Sequence, residues 1–387
     1  MLRKARYFSV ALAGMATFAA LPACSKGAGS SGSNSAAPPA AGAAAGVTAA
    51  HAQIAEFTKL PTYVAPGATI DGKGIGSGKT LLVIPYSTQI PYNNAFSDAI
   101  TKAASAVGMK TKVYADNGAP DEWARGIEYG INQHVDAIAL IAGLNVDQVI
   151  PQIQEATKAG IPVIGSTFEG YDAPSPTYLS ADVPLDYARA GGLEANYAIS
   201  AKAGKVNALI VTSSGLQASK SMTPAVQATF AKNCPGCKVK TIDIPVTQWS
   251  TGIQPQVEAA ITADPSIDYI LPNYDSEASY VIAALRAKGK TDVGVATFNG
   301  TPAPMALLQS GQISMDTGEN INWAGNATVD AALRTILNKG KSIGRLDEHI
   351  PLRVFDKSNA KDVGVPPNLT SGYGNAADQY LKTWGVS

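Results

Sequence analysis

From Lys79 onward the sequence alternates short apolar runs with longer stretches whose apolar residues fall at helical spacing. The first set of runs covers 80–85, 110–116, 137–142 and 161–167. Between them, Phe96, Ile100, Ala103, Ala104 and Val107 share one helical face, and so do Trp123, Ile127 and Ile131. A third stripe of Val146, Ile150, Ile153 and Thr157 stops at Gly160. The same alternation returns with runs at 205–214, 238–245, 269–273, 293–299 and 313–317. The runs read as apolar throughout rather than alternating, as strands do when helices cover both faces of a parallel sheet. Two successive βαβ sets therefore predict an α/β chain of two doubly wound parallel-sheet lobes. The break falls near 178–182, ahead of a long helix over 184–203.

In such sheets ligands sit beyond the carboxyl ends of the strands. Here those ends are rich in aromatic residues and amides, the pattern of one cleft shared by two lobes. The first is the fullest. After Pro85 come Tyr86, Ser87, Gln89, Tyr92, Asn93, Asn94 and Phe96, more side chains than a turn needs.

The 387 residues suit two domains, and 30 basic residues balance 30 acidic ones. A net charge of zero argues against a nucleic-acid binder. His51, His134 and His349 lack ligand spacing, so no zinc site is expected. No nucleophile elbow, zinc-protease motif or dinucleotide fingerprint is present, and we expect neither an enzyme nor a cofactor. Gly72, Gly74, Gly76 and Gly78 before Lys79 suggest a phosphate loop. The first glycine that motif needs falls on Lys73, and the stretch precedes a strand instead of following one.

At the N-terminus, Arg3, Lys4 and Arg6 precede an apolar stretch over 7–21 that is short for a spanning helix. It ends in LPAC, which resembles the lipobox of bacterial lipoproteins, with Cys24 as the lipid-modified residue. Ordinary signal cleavage is the alternative, although Leu21 fits its small-residue rule poorly. Residues 1–23 are thus expected as a signal peptide and 24–78 as a flexible tether and linker, rich in Ser, Gly, Ala and Pro. Cys234 and Cys237 form a C-x-x-C pair with no second pair or nearby histidine to complete a metal site. A local disulfide is the preferred reading in an oxidising compartment.

Four segments carry a family likeness: IPYNNAFSDAITKAASAVGMK, DAIALIAGLNVDQVIPQIQEATKAGIPVIGST, DYILPNYDSEASYVIAALRAKGKTDVGVATFNGTPAPMALLQSGQI and NKGKSI. In order and spacing they resemble the type I periplasmic binding proteins, in particular the sugar-binding branch of ribose- and galactose-binding proteins. The resemblance covers about 79–355. It implies two lobes joined by three hinge crossings, near 180–182, near 318–320 and before 349–355. The first lobe would comprise 79–181 and 320–348, and the second 182–319 and 349–357. Residues 358–387 form an extension with no role assigned.

Carried over position by position, the loop after the first strand offers Tyr86, Ser87, Tyr92, Asn93 and Phe96 to a ligand. Thr167 and Phe168 stand where sugar binders commonly place an Asp-Arg pair on ligand hydroxyls. The SKSMTP stretch at 219–224 lacks a usual arginine, whereas Trp249 keeps a usual aromatic. Tyr274 and Asp275 end a strand, Asn299 replaces the aspartate of an F-D-G turn, and Glu319 matches the last hinge polar residue. Phe96 fits core and cleft alike. Trp123 fits the core, and Trp323 is open between the two.

A pocket rich in π-faces and amides suits a neutral sugar or polyol, and without an arginine it disfavours a strong anion. The resemblance implies a monomeric, lipid-anchored extracytoplasmic receptor that serves an ABC permease and its ATPase. Two alternatives stay open. One is a receptor for an aromatic or amine-bearing ligand, given Asp275 and Glu319. The other is a sensory receptor that does not serve import.

Overall fold

The computed structural model describes residues 41–368 and 371–386, so the signal segment and Cys24 lie outside the described residues. The chain forms β1 (Thr80–Pro85), β2 (Lys110–Val113), β3 (Ala137–Ile141), β4 (Val163–Ser166) and β5 (Ala181–Val183). A second series follows: β6 (Asn207–Thr212), β7 (Lys238–Asp243), β8 (Tyr269–Pro272), β9 (Gly294–Asn299) and β10 (Met315–Glu319). Two late strands complete it, β11 (Gly344–Arg345) and β12 (Leu352–Asp356). One sheet is ordered β11-β5-β4-β3-β1-β2 and the other β12-β10-β9-β8-β6-β7. The first sheet is parallel throughout. In the second, β12 runs antiparallel to β10, with Thr317 opposite Val354. This is the two-lobed, doubly wound α/β architecture expected.

Burial separates inner strands from edges. β3 and β4 are buried at every residue, and β1 at all but Thr80. The edge strands β2 and β7 correct the expectation of apolar runs throughout, because one face of each meets solvent. Exposed Lys110, Lys112, Lys238 and Lys240 sit there, charges that discourage further strand pairing.

The chain passes between the sheets three times. β5 still pairs in the first sheet as far as Val183, one residue beyond the expected crossing, and the helix Tyr187–Ala201 then packs against β9 and β10. After β10 the helix Ile321–Leu337 packs on the helix Pro91–Ala106 of the first sheet. Gly325 makes that contact possible, since a Cβ there would lie 2.7 Å from the Ala99 carbonyl carbon. The chain then adds β11 to the first sheet and β12 to the second.

The expected tether is corrected over its described part. Residues Ala41–Phe57 form a helix packed on Tyr187–Ala201 and Ser219–Asn233. Alanine is the strongest helix former, and small side chains permit close approach. Ala50 is fully buried, and a Cβ on Gly46 would run into the Asn233 carbonyl oxygen. A short helix, Gly72–Gly76, replaces the expected linker.

The C-terminal extension closes over the crossings. The Trp384 indole donates to Asp330 Oδ1 at 2.7 Å and the Tyr380 hydroxyl to Glu348 Oε2 at 2.8 Å. Tyr63 and Trp323 complete the aromatic cluster, which settles Trp323 as core. Arg353 ties Thr58 O at 3.1 Å to Asp362 at 2.7 Å, so the segments before β1 and after β12 are bound together. Cys234 and Cys237 are joined as a disulfide, Cα to Cα 5.4 Å, in the turn before β7.

Trp384→Ala removes a fully buried ring and strips Asp330 of its indole donor. Urea unfolding should report a loss of about 3–5 kcal/mol. A loss under about 0.5 kcal/mol would make the extension peripheral to folding.

Candidate ligand-binding cleft

The strand orders place a reversal between β1 and β3 in one sheet and between β6 and β8 in the other. Such switch points open crevices at the carboxyl ends of the strands. Here the segments after β1, β3, β5, β6, β7 and β8 meet the end of β9 around one small cavity. It is lined chiefly by Tyr92, Asn93, Tyr187, Trp249, Tyr274 and Asn299.

From the first sheet, the loop after β1 is knitted by its own polar groups. Gln89 N donates to Ser87 Oγ at 3.2 Å, and Asn93 Nδ2 donates to Ser87 O at 3.0 Å. Ser87 is therefore a loop-forming residue and does not line the cavity. Pro91, at the first turn of its helix, sets the entry angle. The Tyr92 hydroxyl donates to Glu319 Oε1, a bond between a helix on one sheet and a strand of the other.

Tyr86 and Phe168 are corrected as cleft residues, and Phe96, open between core and cleft, falls to the core. Tyr86 packs against Trp123, ring centroids 5.3 Å apart, and accepts the Trp123 indole N–H on its backbone oxygen at 2.9 Å. Phe96 lies fully buried on the inner face of its helix. Phe168 belongs to the core beneath β4, against Gly165 and Leu179. In each case the ring is claimed by a hydrophobic layer of its own lobe. Thr167 is likewise absent from the lining. Its φ of 50° folds the chain back, and its backbone oxygen accepts from Gly143 N at 3.2 Å and from the Tyr187 hydroxyl.

From the second sheet, Trp249 and Tyr274 stand 6.1 Å apart, tilted by 31°. Two serines hold them: Trp249 Nε1 donates to Ser213 Oγ at 2.7 Å, and Tyr274 pairs with Ser219 Oγ at 2.8 Å. The stretch that lacks the arginine thus supplies an anchor for the aromatic wall. Asp275 is fully buried, and its Oδ2 accepts from the Thr301 backbone and hydroxyl, both at 2.6 Å. Burial pushes its carboxyl up to about 6. Burial alone pushes Glu319 up to about 8, and its Oε2 has no partner.

Sequence reasoning missed Tyr187, Leu216 and Ser276. Tyr187 and Ser276 open helices just past strand ends, a position that would have flagged them. Leu216 gave no chemical signal.

The cavity encloses ≈ 40 Å³, about the room for a water or two. The halves also touch directly, Gln217 N donating to Gly143 O at 3.3 Å. Arg345, on β11, is held by Glu169 at 2.8 Å and Asp182 at 2.7 Å and is not part of the lining. Among the described residues none of the side chains lining the cavity is cationic.

A family model described as periplasmic binding protein domain matches residues 81–341. No curated protein matches. Solved structures do match in fold. One is a Mycobacterium smegmatis protein in complex with β-D-fucofuranose, 21% identical, covering 80% of this chain and 98% of its own, with TM-score 0.63. Another is an Agrobacterium vitis ABC transporter solute-binding protein bound with α-D-tagatopyranose, 19% identical, covering 76% and 99%, TM-score 0.66. A third is a Bacillus halodurans ABC transporter solute-binding protein with bound myo-inositol, 19% identical, covering 75% and 99%, TM-score 0.63.

The raised carboxyl of Glu319 fixes a sign. Its folded-state value exceeds its unfolded one, so the folded state binds the extra proton between about pH 4.5 and pH 8 and loses stability as pH rises through that window. Glu319→Gln should flatten stability against pH there by roughly 1 kcal/mol per pH unit, measured by urea unfolding at several pH values. Equal slopes in both proteins would contradict the burial argument.

Proposed function

Because the chain belongs to the periplasmic binding protein domain family, a family of binding proteins and not enzymes, we propose that it is the solute receptor of an ABC importer for a small neutral carbohydrate or polyol. The observation that carries this is the cavity wall itself. Trp249 and Tyr274, fixed by Ser213 and Ser219, face Tyr92 and Asn93 with no cation among the described lining residues. Aromatic faces suit the C–H faces of a sugar ring, and amides serve its hydroxyls. The two carboxyls nearby favour a neutral ligand over an amine. Asp275 is occupied by Thr301, and burial keeps Glu319 protonated near neutral pH. The structural neighbours carry fucofuranose, tagatopyranose and myo-inositol.

The ligand-binding residues of this proposal are Tyr92, Asn93, Trp249, Tyr274 and Asn299, with Asp275 and Glu319 positioning Thr301 and Tyr92. The lobes would part and close about the crossings, as hinged binding proteins do. Family membership implies an extracytoplasmic location, and no described helix is long and apolar enough to cross a membrane. Cys24 in LPAC is the proposed lipid anchor, and the closed form is the proposed signal to permease and ATPase.

A thermal-shift and tryptophan-fluorescence panel of D-tagatose, D-allose, myo-inositol, allitol and D-fucose tests the ligand class. At a hundredfold excess over Kd a true ligand stabilises by about 2.7 kcal/mol, which is a clear rise in Tm. If none of the panel moves either signal while aromatic acids or amines move both, the carbohydrate reading is wrong.

A further inference from the structure

Outside the small cavity the two halves separate into a groove of ≈ 670 Å³. That volume lies within the roughly 300–1,000 Å³ typical of small-molecule sites, whereas the inner cavity lies far below it. The two spaces adjoin, since Ile90, Trp249 and Ser276 line both. The groove is distinctly apolar: Pro91 and Ala95 come from one half, and Pro302, Ala303 and Leu307 from the other. Its carboxylate, Asp275, is turned to internal use by two bonds from Thr301. No cationic side chain lines it among the described residues.

We propose that the ligand extends from the inner cavity into this groove and places a flat apolar group there, so that the substrate class is an aryl glycoside. The assignment rests on the carbohydrate reading above and supplies the other half of the molecule. A sugar hydroxyl or ring edge meets Tyr92, Asn93 and Asn299, and the aglycone lies between the prolines, Leu307 and the outer edge of Trp249. Walls built from proline rings and a serine-anchored indole are stiff, so a flat group loses little freedom of theirs on docking. Burying an aryl ring there removes apolar surface from water, which favours the glycoside over the bare sugar.

Matched methyl and phenyl β-glycosides of glucose, galactose and allose, titrated calorimetrically into the full chain, test this directly. For at least one sugar the phenyl form should bind more tightly by about tenfold or more. Ala303→Asp puts a charge on the groove wall at an exposed first-turn helix position, where an acidic residue suits the helix, and should pull the phenyl-to-methyl ratio toward one. Equal affinities for the two forms overturn the aryl assignment and leave the carbohydrate reading intact. If no glycoside of either kind binds but a free aromatic compound does, the carbohydrate reading fails and the apolar groove stands. If nothing in either class binds, both fail.

Discussion

Parallel strands must be joined by crossovers that return over the face of the sheet, so their carboxyl ends all point one way. In this chain both sheets obey that rule across β1 to β10, and every loop around the cavity leaves a strand at that end. The loops at the switch points between β1 and β3 and between β6 and β8 then line one cavity. Three passages between the sheets hold that arrangement. The helix Ala41–Phe57 and the C-terminal extension add two further ties, through Arg353 and the cluster of Tyr63, Trp323, Tyr380 and Trp384.

Desolvation governs the electrostatics around the cleft. Glu194 is fully buried with both oxygens unpartnered, and burial drives its carboxyl well above the ordinary range. Asp316 is driven the same way, by burial and then by the neighbouring Asp275. Glu277, with Ser213 beneath Trp249, is pushed up to about 8 by burial. Ion pairs lie elsewhere, as with Arg345 between Glu169 and Asp182. A cleft whose carboxyls are neutral or internally bonded, and whose lining lacks cations, discriminates against charge of either sign.

Much of this was legible in the residues. Strand positions, the crossing helix Tyr187–Ala201 and the loops that meet in the cleft followed from apolar periodicity, because burial on both sheet faces leaves a continuous signal at β1, β3 and β4, whereas the chain's return after β10 came only from the family resemblance. Edge strands β2 and β7 carry a weaker one, since solvent accepts their lysines. The helix Ala41–Phe57 was hidden because alanine and glycine mark both flexible linkers and close helix contacts. Within the cleft, Trp249, Tyr274, Tyr92 and Asn93 face the cavity, while Tyr86, Phe96 and Phe168 do not. Period and position name the loop an aromatic sits on. Which layer claims the ring depends on packing partners that position alone does not name, such as Trp123 for Tyr86 and Leu179 for Phe168.

Binding of a neutral hydroxylated ligand between the halves, against Trp249, is open to direct measurement. The measurement is native mass spectrometry of the protein purified without unfolding, side by side with a Trp249→Ala variant. A neutral, hydroxylated mass should co-purify with the unaltered chain and be lost from the variant. An ionic adduct, or one the variant retains, would contradict it.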